Sequence, residues 1–168
     1  MSQLSISDKR RIVIAYDGTE DARKLFDWSI KNIVNPNTDH VILVSAQPRT
    51  GKVGGERRGS LNMLTTTPTR VNEAIKEVDE HPQGASIRQV LSTMAEQLQS
   101  AHISSEQHIL WGDPKETLPK YTQKNKVDLL IVGSRGLGSI KSVILGSVSD
   151  RCVHECPCPV LVVRNAVI

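Results

Sequence analysis

The chain has 168 residues, 38% apolar, 23% charged and 3% aromatic, with a formal net charge of +3. That length suits one domain burying about two-thirds of its unfolded surface, and the balance of apolar to charged residues excludes disorder. No apolar run approaches the roughly 20 residues of a membrane span.

With so few aromatic residues the core must be Val, Ile, Leu and Ala, the composition of strands covered by helices on both faces. Met1-Ser2-Gln3-Leu4 lacks the charged-then-apolar pattern of a signal peptide, the three cysteines make an odd set, and no Asn-x-Ser/Thr sequon occurs. The expectation is a cytoplasmic protein.

In chain order, Arg11-Ile-Val-Ile-Ala-Tyr16 is a short apolar run ending in Asp17-Gly18-Thr19, a buried strand and a turn. Ala22, Leu25, Phe26, Ile30, Ile33 and Val34 recur at helical spacing behind a Thr19 cap, with Glu20 and Asp21 in the first turn. Asn35-Pro36-Asn37 stops that helix, and His40 to Ala46 is a second buried strand. Strand, helix and strand in this compass make a βαβ unit, with parallel pairing and a right-handed crossover.

Between Gln47 and Arg70, five basic residues (Arg49, Lys52, Arg57, Arg58, Arg70) face one acid, Glu56, so this segment alone supplies +4 and the rest of the chain is close to neutral. Gly51, Gly54, Gly55 and Gly59 interrupt it and no aromatic residue is present to stack on bases. Residues 47–67 read as a mobile, solvated basic loop rather than a nucleic-acid surface.

From about Pro68 to Ala101 the chain reads as two helical pieces, with Pro82-Gln83-Gly84 between them. Ile87, Val90, Leu91, Met94, Ala95 and Leu98 form a stripe suited to lying on a sheet. Gln107 to Trp111 is a third strand, followed by Asp113, Pro114 and Glu116 as the elements of a capping box. Val127 to Val132 is the fourth strand and Pro159 to Arg164 the fifth. Strands alternating with helices predict one doubly wound α/β domain over residues 1–168.

The sharpest motif is Gly133-Ser-Arg-Gly136, nine further residues, then Gly146-Ser147. Behind a buried strand, Gly133 and Gly136 allow a tight turn, aim amides into one concavity and let a ligand approach without a β-carbon in the way. Gly146 and Ser147 open the next helix, whose unpaired N–H groups suit phosphate oxygens. The alternative is an ordinary strand-to-helix turn. A dinucleotide fingerprint is excluded by the order of Gly133, Gly136 and Gly138 after a late strand, and no phosphate-loop Gly-x4-Gly-Lys-Ser/Thr occurs.

The spacing Gly-x2-Gly-x9-Gly-Ser before an apolar strand resembles the nucleotide-binding branch of the universal stress protein family. Arg11 to Thr19, Val41 to Val44, Trp111-Gly-Asp-Pro114, Val127 to Gly136 and Cys158 to Val163 carry the resemblance over nearly the whole chain. It implies a five-stranded parallel sheet in the order 3-2-1-4-5, helices on both faces, and ATP across the ends of strands one and four. Carried over by position, Ala15, Asp17 and Ala46 would surround adenine and ribose. Val132, Gly133, Gly136, Gly146, Ser147 and Val148 would hold ribose and phosphates. ADP or AMP would fit the same site, and Mg2+ or Mn2+ would be held by the phosphates. Two features depart from the family pattern: Ser45-Ala46 stands where relatives commonly have His-Val, and the Gly51–Gly59 insertion matches nothing.

Taken alone, Asp17 has two readings, a local cap of an Asp-Gly turn or a ligand to nucleotide, and the resemblance favours the second. Cys152, His154, Cys156 and Cys158 crowd into seven residues, yet lack zinc-knuckle spacing, so Cys152 reads as a small buried hydrophobe. No group that would orient water or stabilise a phosphoryl transition state can be named, so binding outranks catalysis. The expected function is an ATP-binding regulatory or stress-response module. The alternatives are a slow ATP hydrolase and a nucleotide-free protein-interaction module, and the intact glycine motif speaks against the last. The apolar strand Val160–Val163, placed at a sheet edge, predicts a homodimer.

Overall fold

The computed structural model describes residues 4–49, 82–134 and 146–164. Five strands, β1 (Arg10–Ala15), β2 (Asp39–Gln47), β3 (Ser104–Trp111), β4 (Leu129–Gly133) and β5 (Val160–Val163), form one sheet in the order β3-β2-β1-β4-β5. Every pairing is parallel, with Ile12 opposite Val41 on one side of β1 and Leu129 on the other. Four helices flank it among the described residues: α1 (Glu20–Asn32), α2 (Pro82–Ser100), α3 (Pro114–Lys124) and α4 (Ser147–Glu155). None of the described helices is long and apolar enough to cross a membrane.

The two-residue period of the strands sorts the core into two layers. Ile12, Ile14, Val41, Leu43 and Ile131 meet Leu25 and Phe26 of α1 and Leu91, Met94 and Leu98 of α2. Val13, Ile42, Val44, Leu130 and Val132 meet Leu118 of α3 and Cys152 of α4. The sheet is thus doubly wound as expected, and Ile12, Val13 and Ile14 are fully buried because both faces of β1 are covered.

Local chemistry sets the helix ends. The Thr19 hydroxyl accepts the Ala22 N–H at 3.1 Å, and Asp113 accepts the Lys115 N–H at 2.9 Å behind Pro114. Just past the end of α2, His102, with a φ of 59°, lets the Ile103 N–H reach back to the Leu98 carbonyl at 2.9 Å. Near the start of β2 the buried Asp39 takes a two-pronged bond from Arg10, at 3.0 and 2.9 Å, and the Asn35 N–H at 2.7 Å.

Three expectations change. Pro82-Gln83-Gly84 does not break a helix: it forms the first turn of α2, where the missing proline N–H costs nothing. The helical piece expected before it and nearly all of the basic loop lie outside the described residues, and Gln47 belongs to β2. Strand β3 begins at Ser104, not Gln107, because parallel backbone pairing with His40 to Ile42 does not require apolar side chains on an edge strand.

Candidate functional site

Strand order reverses between β1 and β4, so their carboxyl ends border the crevice where open α/β sheets take ligands. There the Ser134 N–H donates to the Val163 carbonyl and the Gly146 N–H donates to the Ser134 carbonyl, both at 3.1 Å. The end of β4 is therefore tied, through a single residue, to the start of α4. Residues 135–145 between them, Arg135 and Gly136 included, lie outside the described residues.

Gly146 is the cap residue of α4, with φ −59° and ψ 156°, and offers no side chain to the helix amides. Thr19 and Asp113 do cap α1 and α3. Helix α4 differs from these two, and its start falls at the crevice, where its first N–H groups and positive dipole end suit an anion. The Gly146 carbonyl already serves the Asp150 N–H and the Ser149 hydroxyl, each at 2.9 Å. Ser147, the first residue of α4, is exposed.

The remaining sequence-derived candidates fall around this point. Ala15, the last residue of β1, packs at the rim of the α3/α4 layer with Val148, beside the buried Val132. Ala46 is half-buried near the end of β2 and shares the face of Ile42 and Val44 by the two-residue period. Small side chains at 15 and 46 keep that face low where the strands end. Asp17 is exposed in the next turn, where its Oδ1 accepts the Thr19 N–H at 3.0 Å and the Thr19 hydroxyl. Gly18, at φ +87°, makes that turn possible, so Asp17 positions the cap of α1 as the local reading holds.

Gly133 corrects one expectation. It closes β4 opposite Val163 and lies outside the left-handed region, so no tight turn requires a glycine there. A β-carbon would sit 3.7 Å from Leu25 Cδ2, an ordinary contact. Sequence reasoning passed over Ser134, whose backbone carbonyl joins strand to helix. No pattern in the chain marks a carbonyl whose partner lies twelve residues ahead. Cys152 is fully buried in the α3/α4 layer, and His154 is exposed beside Asp150 at 3.4 Å.

The model of the Universal stress protein family matches residues 9–164. The chain belongs to the universal stress protein family. It is 31% identical over 163 residues to universal stress protein PHOS34 of Arabidopsis thaliana, an alignment covering 93% of this chain and 62% of that protein. Among solved structures, universal stress protein UspA from Lactobacillus plantarum superposes with a TM-score of 0.66 at 20% identity, covering 92% of this chain and 97% of that one. A universal stress protein family protein from Arabidopsis thaliana, determined with AMP bound, has a TM-score of 0.57 at 20% identity, covering 92% and 91%. The universal stress protein from Archaeoglobus fulgidus in complex with dAMP has a TM-score of 0.53 at 16% identity, covering 92% and 98%. At these identities the structures establish a shared fold.

Proposed function

We propose that this universal stress protein binds an adenine nucleotide, ATP in its working form, in the crevice outside β1 and β4, and acts as a regulatory module in a stress response. The observation that carries the proposal is the α4 start: a glycine cap without a side chain, tied to Ser134 at the end of β4. Phosphate oxygens on the Ser147 and Val148 amides and the Ser147 hydroxyl would complete a cap that the chain itself leaves open. Ala15, Ala46 and Val132 would take the base and ribose, with Asp17 at the ribose side, and Gly133 and Gly136 would admit the phosphates without a β-carbon in the way. AMP and dAMP in the two family structures described above support an adenine ligand.

The donors around the crevice are amides and hydroxyls, which suit phosphate rather than metal. Among the described residues no group of His, Cys, Asp or Glu could hold an ion. Mg2+ or Mn2+ would be held by the phosphates of the bound nucleotide. Binding, rather than hydrolysis, is the activity this donor set supports, since none of the donors would activate water.

Titration calorimetry of the full chain with ATP and GTP, alongside mass spectrometry of any ligand released from the purified protein, tests the reading. ATP binding with a preference over GTP is expected. Equal affinities would remove the adenine selectivity, and binding of neither would overturn the proposal.

A further inference from the structure

Three thiols converge where α4 runs towards β5. Cys152 is fully buried, and Cys156 and Cys158 are half-buried in the same apolar layer. Cys156 closes the last turn of α4: its N–H donates to the Cys152 carbonyl at 3.0 Å, which sets the two side chains one turn apart on one face. The two thiols therefore face each other in one apolar layer, next to the buried Thr122 of α3, whose hydroxyl donates to the Pro119 carbonyl at 2.8 Å. His154 takes no part, being exposed beside Asp150.

Two thiols packed together lose the first proton more easily than the second. The neighbouring Cys152, opposed by burial and aided by Thr122, lowers Cys156 to about 7, while Cys156 and burial push Cys152 up. The negative end of α4 and Glu155 oppose a thiolate here, but Arg151 pairs with Glu155. Closure asks for a small shift at the end of α4. Residues one helical turn apart have Cα atoms about 6 Å apart, inside the disulfide span of about 4.4–6.8 Å, while their β-carbons, about 5–6 Å apart, must approach to about 3.5–4.5 Å. Cys156 itself has left the helix, with φ −73° and ψ 132°.

We propose that Cys152 and Cys156 form a dithiol site oxidised by hydroperoxides to an intramolecular disulfide, with Cys156 as the attacking sulfur. The Cys156 thiolate attacks a peroxide oxygen, an S–O bond forms, the O–O bond breaks, and the departing oxygen takes up a proton as alcohol or water. The Cys152 sulfur then attacks the Cys156 sulfenic acid, the S–S bond forms, and the hydroxyl leaves as water with the Cys152 proton. The two thiols lose two electrons and the peroxide gains them. The site is independent of the nucleotide reading.

The test exposes the reduced full-length chain to hydrogen peroxide at neutral pH, blocks the remaining thiols by alkylation and digests with trypsin. Cleavage after Arg151 and Arg164 places all three cysteines on one peptide. Expected in the wild type is a peptide lacking two hydrogens with one alkylated cysteine, Cys158. Cys158→Ser should give the same loss. In Cys152→Ser, Cys156 should stop at a sulfenic acid that dimedone captures, and Cys156→Ser should keep both remaining thiols reduced. A wild-type peptide that keeps three alkylated cysteines while the same peroxide oxidises free glutathione would overturn the proposal. So would a disulfide that survives Cys156→Ser, disappears in Cys158→Ser, or links two chains.

Discussion

Single positions separate what the backbone needs from what a ligand would need. At His102 a residue with a β-carbon occupies the left-handed region to close α2, a conformation costing non-glycine residues about 1–2 kcal/mol. His102→Gly should relieve most of that against its own entropy cost, raising stability by about 0.5–1 kcal/mol in denaturant unfolding. A loss of stability would mean that the imidazole matters more than the strain. Gly133 is the reverse case: no positive φ demands a glycine, and a β-carbon has room against Leu25. Gly133→Ala should stay within about 1 kcal/mol of the parent, since glycine weakens a strand, yet bind ATP at least about tenfold more weakly. Calorimetry showing unchanged affinity would place the phosphates elsewhere. The backbone role of His102 was not legible in advance, and for Gly133 the motif suggested the ligand role but not the place inside β4. His102 carries no motif, and Gly133 stands in a glycine-rich stretch where every glycine suggests a turn.

At the scale of elements, α4 puts two demands in opposition. A helix start prefers Asp, Asn, Ser or Thr as its cap, and α1 and α3 have Thr19 and Asp113. Gly146 leaves that place open. Gly146→Asp should therefore hold or raise the melting temperature, by a degree or two for a gain of a few tenths of a kcal/mol, because φ −59° suits aspartate and its carboxylate would accept the first amides. The same carboxylate would compete with phosphate and repel it, so ATP affinity should fall by about tenfold or more. A variant that is both stable and fully able to bind would show that α4 does not hold the phosphates. Strands and amphipathic helices were readable because burial on two faces leaves near-continuous apolar runs and burial on one leaves a stripe. The ends were less so: β3 starts on Ser104-Ser105-Glu106, which only pairing with β2 makes a strand.

The whole molecule shows its electrostatics through acid stability. Burial pushes His40 below its usual 6.5 against the pull of Glu106, so the folded chain takes up that proton later than the unfolded one. Stability is then present above pH 6.5 and declines as pH falls below it. Burial alone would raise Asp39 and Glu106, but the bonds from Arg10 and Arg11 win and both lie below their ordinary 3.8 and 4.5. Their contribution persists above those values and is lost as pH falls through the lower, folded ones. Melting curves should fall first below pH 6.5 and more steeply below about pH 4.5. His40→Gln should flatten the first step alone. A first step unchanged in that variant would assign it to another group.

The sheet also ends, among the described residues, on β5, four apolar residues with no charge, of which only Val163 is well buried. Such an edge invites a second copy, antiparallel across a two-fold axis. Light scattering at tens of micromolar should give a dimer, and Leu161→Lys a monomer that still binds ATP. A monomeric wild type would refute the pairing, and an unchanged dimer in the variant would move the interface.

Sequence alone determined the α/β class, the five strands, the caps Thr19 and Asp113 and the family, because burial patterns, capping chemistry and glycine spacing are local or nearly so. Tertiary structure decided which face each side chain joins and that Gly146 bonds to the Ser134 carbonyl. It also decided that Cys152 and Cys156 share a buried layer with Thr122. These depend on contacts between segments far apart in the chain, and the backbone groups that make some of them are the same in every residue.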